Sequence, residues 1–206
     1  MKGSISKILA ALGLVLGLIL LLVLAYVIYM QLTYYRIPDN TPQSLENPAD
    51  AVLKRETVYT ALSYNIGFGA YDQEFSFFMD EGIMQDGTRV KGKSARARSL
   101  EAAEKNTFGA RDIALAEKAD FYLFQEVDTG STRSFGIDQR EILEASAPGA
   151  MSTYASNFHS AYLFYPFSEP HGKVNSGLLT LSAYGVSEAV RRSFPVDESF
   201  LAKFFD

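Results

Sequence analysis

The stretch FYLFQEVD at residues 121–128 is an apolar run that leads directly into acidic residues. Its first four residues predict a β-strand in a sheet that is covered on both faces. Glu126 would then lie at the C-terminal end of that strand, where the active sites of α/β sheets gather. Carboxylate oxygens suit Mg²⁺, so Glu126 is a candidate metal ligand. The alternative is an ordinary surface acid that follows a strand.

A second candidate residue, Asn65, stands near the end of the β-rich segment at residues 57–66. Gly67 and Gly69 follow it, and glycine lets the backbone approach a ligand closely. An asparagine amide at such a position is suited to orienting a phosphate or a neighbouring acid. The alternative is an asparagine that only forms a turn.

The remaining pattern indicates an α/β fold, because a strand, a helix and a strand precede a run of strands. A helical composition covers residues 97–118, interrupted at Gly109, and a second helix is predicted at residues 137–145. Residues 80–97 are predicted to form a long loop. Further strands are predicted near residues 160–165, 177–182 and 186–194.

The two candidate residues lie in short motifs, SYNIG at residues 63–67 and QEVD at residues 125–128. Together they resemble the opening motifs of the endonuclease/exonuclease/phosphatase superfamily. The continuation resembles a membrane-anchored bacterial branch, on residues 131–134, 138–139, 165–167 and 172–177. The resemblance covers residues 57–206.

This resemblance implies a deoxyribonuclease-like, two-sheet α/β sandwich and Mg²⁺-dependent phosphoester hydrolysis. Matched residue by residue, it implies that Glu126 binds the metal and that Asn65 lies near metal and phosphate. The implied substrate is a phosphoester, in a phospholipid, a sugar phosphate or a nucleic acid. The charge of the chain disfavours a large basic nucleic-acid surface, because residues 31–206 carry a net charge of −7.

Members of this superfamily also carry later motifs: an Asn-x-His strand, an Asp-x-Asn pair and a terminal Asp-His. We interpret the sequence as lacking all three, and assign structural roles to His159 and His171. We therefore expect residues 57–206 to be the N-terminal half of such a domain, from a truncated gene, a split gene or a fragment. Such a half would be inactive without a missing C-terminal half. The alternative is a non-catalytic remnant or binding module.

A competing motif is GTRVKGKS at residues 87–94, which fits the P-loop pattern GxxxxGK(S/T). A working P-loop directly follows a buried strand, whereas here Asp80, Glu81 and Asp86 precede the glycine. A nucleotide-binding loop is therefore the less favoured interpretation of Gly87–Ser94. Its basic residues are otherwise a solvated stretch, or contact anionic lipid head groups or a phosphorylated substrate.

Residues 8–30 are 23 consecutive residues without a charge. As a helix they would extend about 35 Å, enough to cross a bilayer core of about 30 Å. Bulky residues end the run where a signal peptide would have small ones, so we predict a retained anchor rather than a cleaved signal. The other alternative, a buried core helix, is disfavoured because core helices are rarely apolar on every face.

Charge asymmetry sets the predicted topology, because Lys2 and Lys7 precede the apolar run and acids predominate after it. We expect a single-pass protein of the cell membrane with residues 1–7 in the cytoplasm, a transmembrane helix at residues 8–30 and the domain outside. The lipid bilayer is thus a predicted partner. Residues 31–56, with three prolines, are predicted to be a solvated linker. The absence of cysteine excludes disulfides, thiolate zinc sites and a cysteine nucleophile.

Overall fold

The computed structural model describes residues 2–196 and residue 199, with side chains from residue 5 onward. The chain divides into two compact units, of which the first contains the N-terminal residues up to Tyr34 and the second contains Tyr35–Val196.

The first unit is built on one long helix, α1, at Lys2–Thr33. From residue 5 to residue 25 its apolar side chains are exposed on all sides, including the consecutive residues Leu20, Leu21 and Leu22. The portion Ile5–Thr33 is long and apolar enough to span a membrane. The predicted apolar helix is therefore confirmed, and it extends beyond residues 8–30 at both ends.

The second unit combines strands with two helices. The helices are α2 at Leu100–Ala116 and α3 at Gln139–Ala145. The strands are β1 at Thr41–Pro42, β2 at Ala61–Asn65, β3 at Glu81–Ile83, β4 at Arg89–Lys91, β5 at Phe121–Asp128, β6 at Met151–Leu163, β7 at Gly172–Ser182 and β8 at Val190–Arg191.

Four of these strands form the central sheet, in the order β2-β5-β7-β6. Strands β2 and β5 are parallel and are connected through α2, whereas β7 is antiparallel to both β5 and β6. The smaller pairings are β1 with β8 and β3 with β4. The predicted α/β class is confirmed.

The hydrophobic core lies on one face of this sheet. It contains Tyr122 and Phe124 of β5, Leu179 of β7, Ala114 of α2 and Leu143 of α3. The helices cover this face because their small or apolar residues recur at helical spacing, as at Ala103, Thr107, Ala110 and Ala114.

The opposite face of the sheet is open to solvent in the part of the chain that the structure describes. Leu123 is 39% exposed and Leu178 is 41% exposed, although they alternate with the fully buried Phe124 and Leu179. The prediction that β5 is covered on both faces is therefore wrong for residues 5–196. The second sheet of a sandwich is not formed by these residues.

Helix boundaries follow from capping more than from composition. The side chain of Ser99 accepts a hydrogen bond from the Ala102 amide at 3.1 Å, so α2 begins after Ser99 rather than at residue 97. Asp138 caps α3 in the same way, through the Glu141 amide at 3.0 Å. Gly109 lies inside α2 without interrupting it, which corrects the prediction of a break there.

Part of the predicted linker is bound to the second unit. Thr41 pairs with Arg191, and Glu46 pairs with Ser152 at the edge of the central sheet. The Asp39 carboxylate accepts a hydrogen bond from the Ser193 amide at 2.7 Å. Residues 39–46 therefore run along the folded unit rather than forming a fully solvated spacer.

Candidate functional site

The structure brings the two predicted site residues into direct contact. Because β2 and β5 are parallel, Asn65 lies in register with Gln125, one residue before Glu126. The Asn65 side-chain amide donates a hydrogen bond to Oε1 of Glu126 at 2.9 Å. Residues that are 61 positions apart in sequence therefore form one polar corner at the carboxyl ends of two neighbouring strands, which we call the Asn65–Glu126 corner.

A bulge in β5 determines the position of Glu126. The pairing of β5 with β7 shifts between Phe124 and Val127, and Glu126 has a φ angle of +54°. A non-glycine residue in the left-handed region costs roughly 1–2 kcal/mol. Local strain of this kind is found disproportionately at functional sites, where it aims a side chain away from the regular strand direction.

The loop after β2 is fixed by the same asparagine. Oδ1 of Asn65 accepts a hydrogen bond from the Gly67 amide at 2.8 Å. Gly67 has a φ angle of +54°, and a Cβ atom there would lie 2.4 Å from the ring of Tyr71. Glycine is required at this position by both its conformation and the space available. Asn65 therefore acts as a turn former and as the partner of Glu126 at once.

Tyr71 is a site residue that the sequence interpretation missed. Its hydroxyl donates to the Asp80 carboxylate at 3.4 Å. Burial, followed by the negative charges of Asp80 and Glu126, raises the pKa of Tyr71 to about 12. The phenol therefore stays protonated at neutral pH, and its one proton is shared with Asp80. No spacing in the sequence connects Tyr71 or Asp80 with Glu126.

A buried polar network begins two residues after Glu126. Arg133 donates two hydrogen bonds to the Asp128 carboxylate, from Nε at 2.9 Å and from Nη2 at 2.8 Å. Ser134 donates to the same carboxylate at 3.0 Å. Gln139 accepts a hydrogen bond from the Asp128 amide at 2.9 Å and donates to Thr107 of α2 at 2.9 Å. We call these five residues the Asp128 network.

The Asp128 network and the loop after β2 are in contact. The Arg133 guanidinium stacks on the ring of Phe68, 3.8 Å from its centroid. Phe68 directly follows Gly67 and is itself buried. The network therefore supports the loop that follows Asn65, through the contact of Arg133 with Phe68. The sequence interpretation used Arg133 and Gln139 only as marks of a resemblance and did not recognise their structural role.

His159 requires a correction to the motif analysis. Asn157, Phe158 and His159 do fit the letters Asn-x-His, so the interpretation that this motif is missing was wrong. His159 lies on β6, in register with Asn175 of β7, and its ring meets that of Tyr35 edge-on at 6.0 Å. Strands β5 and β7 separate β6 from β2 in the sheet. The structure therefore does not bring His159 to the Asn65–Glu126 corner.

His171 is a buried structural residue. Its Nδ1 lies 2.9 Å from the Ala95 carbonyl oxygen, to which the neutral ring donates a hydrogen bond. Burial, followed by the nearby charge of Arg133, lowers the pKa of His171 to about 4. The imidazole is therefore neutral at pH 7 and packs against Phe77 and Phe78.

The residues Gly87–Ser94 do not have P-loop geometry. Strands β3 and β4 form an antiparallel hairpin, in which Glu81 pairs with Lys91 and Ile83 pairs with Arg89. Every residue of the two strands is exposed to solvent. A phosphate-binding loop requires a buried parallel strand before it and a helix directly after it. Here the next helix begins only at Leu100. The hairpin also corrects the prediction of an irregular loop at residues 80–97.

The metal-binding capacity of the corner is limited. Among the side chains that the structure describes, no group of three or more His, Asp or Glu residues is placed to hold a metal ion. The oxygen atoms that could coordinate a metal ion at the corner are those of the Glu126 carboxylate and the Asn65 side-chain carbonyl. Mg²⁺ keeps several water ligands and binds proteins through as few as one or two carboxylates. A Mg²⁺ ion at these two donors would therefore have to keep most of its coordination sites filled by water.

Comparisons with known proteins do not add to this geometry. No protein-family model matches the chain, and neither the curated proteins nor the solved structures contain a significant match.

Proposed function

We propose that this protein is a membrane-tethered, Mg²⁺-dependent phosphoester hydrolase of the endonuclease/exonuclease/phosphatase type, whose catalytic site is incomplete among the residues that the structure describes. In this proposal Glu126 is the metal-binding carboxylate and Asn65 holds that carboxylate in place. The observation that carries the proposal is the 2.9 Å hydrogen bond between these two side chains, at the carboxyl ends of adjacent parallel strands.

The arrangement of the corner supports a catalytic origin. The Glu126 backbone adopts a strained conformation, and its side chain accepts from an amide that is itself oriented by the Gly67 turn. A surface acid without a function needs neither the strain nor the partner. A bound Mg²⁺ would neutralise charge on a phosphoryl oxygen, which is the chemistry that phosphoester hydrolysis requires.

The incomplete character of the site also has structural support. The corner contains a single carboxylate, and β7 lies between β5 and the strand that carries His159. The uncovered sheet face carries Leu123 and Leu178, and a sheet normally buries such a face against another layer. Additional residues that form a second layer would cover this face and would supply further ligands and a general base.

The second candidate function is a non-catalytic remnant or binding module that keeps only this half of the fold. The observation that favours it is the lack, among the described residues, of a metal-binding group of three acids or histidines. The two candidates make the same prediction for the isolated chain and different predictions once a complementing segment is added.

The test uses the full chain in detergent micelles with bis-p-nitrophenyl phosphate, DNA and sphingomyelin as substrates. We expect no Mg²⁺-dependent hydrolysis, because the absence of general acid–base catalysis alone lowers a rate by roughly 10²–10⁴. Mg²⁺ should bind weakly, in about the millimolar range, corresponding to about 4 kcal/mol. If coding sequence for a second half exists, its co-expression should restore activity.

Matched variants then locate the site. In the restored enzyme, Glu126→Gln should reduce activity at least about a hundredfold, since metal-ion stabilisation of the transition state is worth several kcal/mol. Glu104→Gln, at an exposed position of α2, should leave activity unchanged. Robust hydrolysis by the 206-residue chain that persists in Glu126→Gln would show that the site lies elsewhere. A restored fold without activity would favour the binding module.

The membrane part of the proposal is tested separately. The exposed apolar surface of α1 supports retention of the chain in the cell membrane. Lys2 and Lys7 before the apolar run support a topology with residues 1–7 in the cytoplasm and the second unit outside. Carbonate extraction should leave the chain in the membrane pellet. A membrane-impermeant thiol reagent should label Glu104→Cys in intact cells, because the second unit lies outside. The label is specific, since the natural sequence has no cysteine. A shortened soluble form in the medium would contradict anchoring.

A further inference from the structure

The outer side of β2 is an edge of the central sheet that the described residues leave unpaired. Strand β2 stands at one end of the order β2-β5-β7-β6, and β5 is the one strand that pairs with it in the described part of the chain. A sheet edge presents a row of unpaired N–H and C=O groups, which can hydrogen-bond to another strand. We call this side of β2 the free edge.

The pairing with β5 identifies the backbone groups at the free edge. The Ile66 amide donates to the Gln125 carbonyl oxygen at 3.0 Å. In a parallel pair every second residue of a strand makes the hydrogen bonds to its neighbour, so the even-numbered residues of β2 bond to β5. The intervening residues therefore direct their amide and carbonyl groups outward, and these are Ala61, Ser63 and Asn65.

The opposite edge of the same sheet, on β6, is covered by the chain itself. Ser152 exchanges two backbone hydrogen bonds with Glu46, at 2.9 and 3.0 Å. The Arg191 side chain donates to the Ser156 carbonyl oxygen at 2.9 Å. Nothing comparable covers the free edge within the described chain. The free edge is therefore the side on which this sheet can be extended by another strand.

The sequence at the free edge has none of the features that usually prevent strand pairing. Natural sheet edges are protected by charged side chains, by prolines, by bulges or by a covering segment. Residues 57–66 contain no charged residue and no proline. The register of β2 with β5 is also regular along the whole strand, so β2 contains no bulge. The backbone at the free edge is therefore accessible to a partner strand.

We propose that the free edge pairs with the free edge of a second copy of this chain, as two antiparallel β2 strands related by a two-fold axis at Ser63. This inference does not depend on the proposed function. In this register Ser63 lies opposite Ser63 of the second copy, and Ala61 lies opposite Asn65. All the outward-facing residues then stand in hydrogen-bonded pairs, each of which exchanges both of its N–H···O bonds.

The side chains of β2 match one another in this register. Leu62 would lie opposite Tyr64 of the second copy, on the face that packs against the hydrophobic core. Both side chains are only half-buried in the single chain, so the pairing would bury them further. Cross-strand pairs of aromatic and aliphatic residues stabilise antiparallel sheets, whereas like charges opposite each other destabilise them. Self-pairing of residues 57–66 brings no like charges together, because the segment is uncharged.

The register is tested by disulfide formation in the full chain in detergent micelles. The natural sequence has no cysteine, so a disulfide in a single-cysteine variant joins two copies. Ser63→Cys places the two thiols on residues whose Cα atoms would be about 5.5 Å apart, within the range of a disulfide. Ala61→Cys is the matched control, since it is also exposed but would be about 14 Å from its counterpart. We expect oxidation to yield a covalent dimer for Ser63→Cys and monomer for Ala61→Cys.

The pairing itself is tested by sedimentation equilibrium in density-matched detergent. Ser63→Pro removes an outward amide but no bond to β5, and edge strands tolerate proline at such positions. Ser63→Lys places two ammonium groups directly opposite each other and keeps the fold if proline does not. Each variant should weaken self-association at least about tenfold. Ser63→Thr, the conservative control, should associate like the natural chain, and circular dichroism should show the same fold in all three.

Three outcomes would overturn the proposal. If the natural chain stays monomeric throughout the concentration series, the free edge is left to a different chain. If neither Ser63→Pro nor Ser63→Lys weakens the dimer, the copies associate through another surface, such as that of α1. Equal disulfide yields at residues 61 and 63 would exclude the two-fold register. The hydrolysis assays, whatever their result, affect none of these measurements.

Discussion

Glu126 and Asp128 are carboxylates two residues apart on the same strand, and their surroundings differ in nearly every respect. Asp128 is fully buried and accepts hydrogen bonds from Arg133 and Ser134. Glu126 is partly exposed, sits on a bulge with a φ angle of +54°, and accepts one hydrogen bond from Asn65. One carboxylate is enclosed by partners, and the other keeps capacity for a ligand from outside.

The difference indicates a structural role for Asp128 and, under the proposed function, a ligand-binding role for Glu126. Removing a partner of Asp128 leaves a buried charge without compensation, so the cost appears in the free energy of unfolding. Removing Glu126 costs the fold little, so its effect should appear only when a ligand or substrate is present. The predictions below test this separation, from the largest expected effect to the smallest.

The largest effect is expected for Arg133→Met. This substitution keeps the unbranched apolar stem of the side chain but leaves the buried Asp128 without its ion-pair partner, so it should lower the free energy of unfolding by about 3–5 kcal/mol. The melting temperature should fall by roughly 10 °C, as measured by circular dichroism. Arg140→Met is the matched control, because its ion pair with Glu144 is partly exposed and should contribute less than about 1 kcal/mol. Equal losses in the two variants would contradict the structural role of the Asp128 network.

The second prediction concerns pH and His171, which contacts the same buried region. Its pKa is about 4 in the folded state and near 6.5 when unfolded, so the unfolded chain binds the proton more readily. The contribution of the neutral His171 ring to the free energy of unfolding is complete above about pH 6.5. It is lost as the pH falls towards 4, by about 3 kcal/mol in all.

The matched variant for this prediction is His171→Asn, which still donates to the Ala95 carbonyl and does not titrate. Urea unfolding between pH 7 and pH 4 should give a shallower loss of stability for the variant than for the natural chain. Parallel curves would show that His171 does not stay neutral in the fold.

The third prediction concerns the Asn65–Glu126 corner. Asn65→Ala removes the amide that orients Glu126, so the affinity for Mg²⁺ should fall about tenfold, close to 1.4 kcal/mol. Asn65→Asp keeps an acceptor for the Gly67 amide and adds a carboxylate, so it should bind Mg²⁺ more tightly than the natural chain. Chemical shift changes during a Mg²⁺ titration measure both. The same affinity in all three chains would mean that the ion binds elsewhere.

The smallest effect is expected for Glu126→Gly, and its sign is the informative part. Glycine accepts a positive φ without strain, so the substitution should relieve roughly 1–2 kcal/mol of backbone strain. This relief should exceed the conformational entropy that glycine loses on folding, so the fold should be stabilised by about 0.5–1 kcal/mol. Gln125→Gly is the control, at the neighbouring position without a positive φ, and should destabilise by about 0.5–1 kcal/mol. A loss of stability in both variants would show that Glu126 is not strained.

The candidate site was predictable where it depended on local pattern. An apolar strand that leads into Glu126 and a β-rich segment that ends near Asn65 placed both residues at strand ends. The structure joins them by a hydrogen bond, although β5 continues past Glu126 to Asp128. Tyr71, Asp80 and the Asp128 network were not predictable in this way. Their contacts connect segments separated by many residues, such as Thr107 with Gln139, and nothing in the spacing of polar residues marks such a contact.

The sequence alone determined the apolar helix at the N-terminus, the α/β class and the strands that carry Asn65 and Glu126. These follow from hydrophobic periodicity and composition, which act within short windows of the chain. Only the tertiary structure decided that residues 39–46 lie along the second unit, that Gly87–Ser94 belongs to an antiparallel hairpin, and that one face of the sheet is open. Only the tertiary structure also decided that Asp128 is enclosed while Glu126, on a bulge, remains partly exposed. The physical reason is that burial, register and backbone strain depend on which distant segments pack together, and the local pattern of residues does not contain that information.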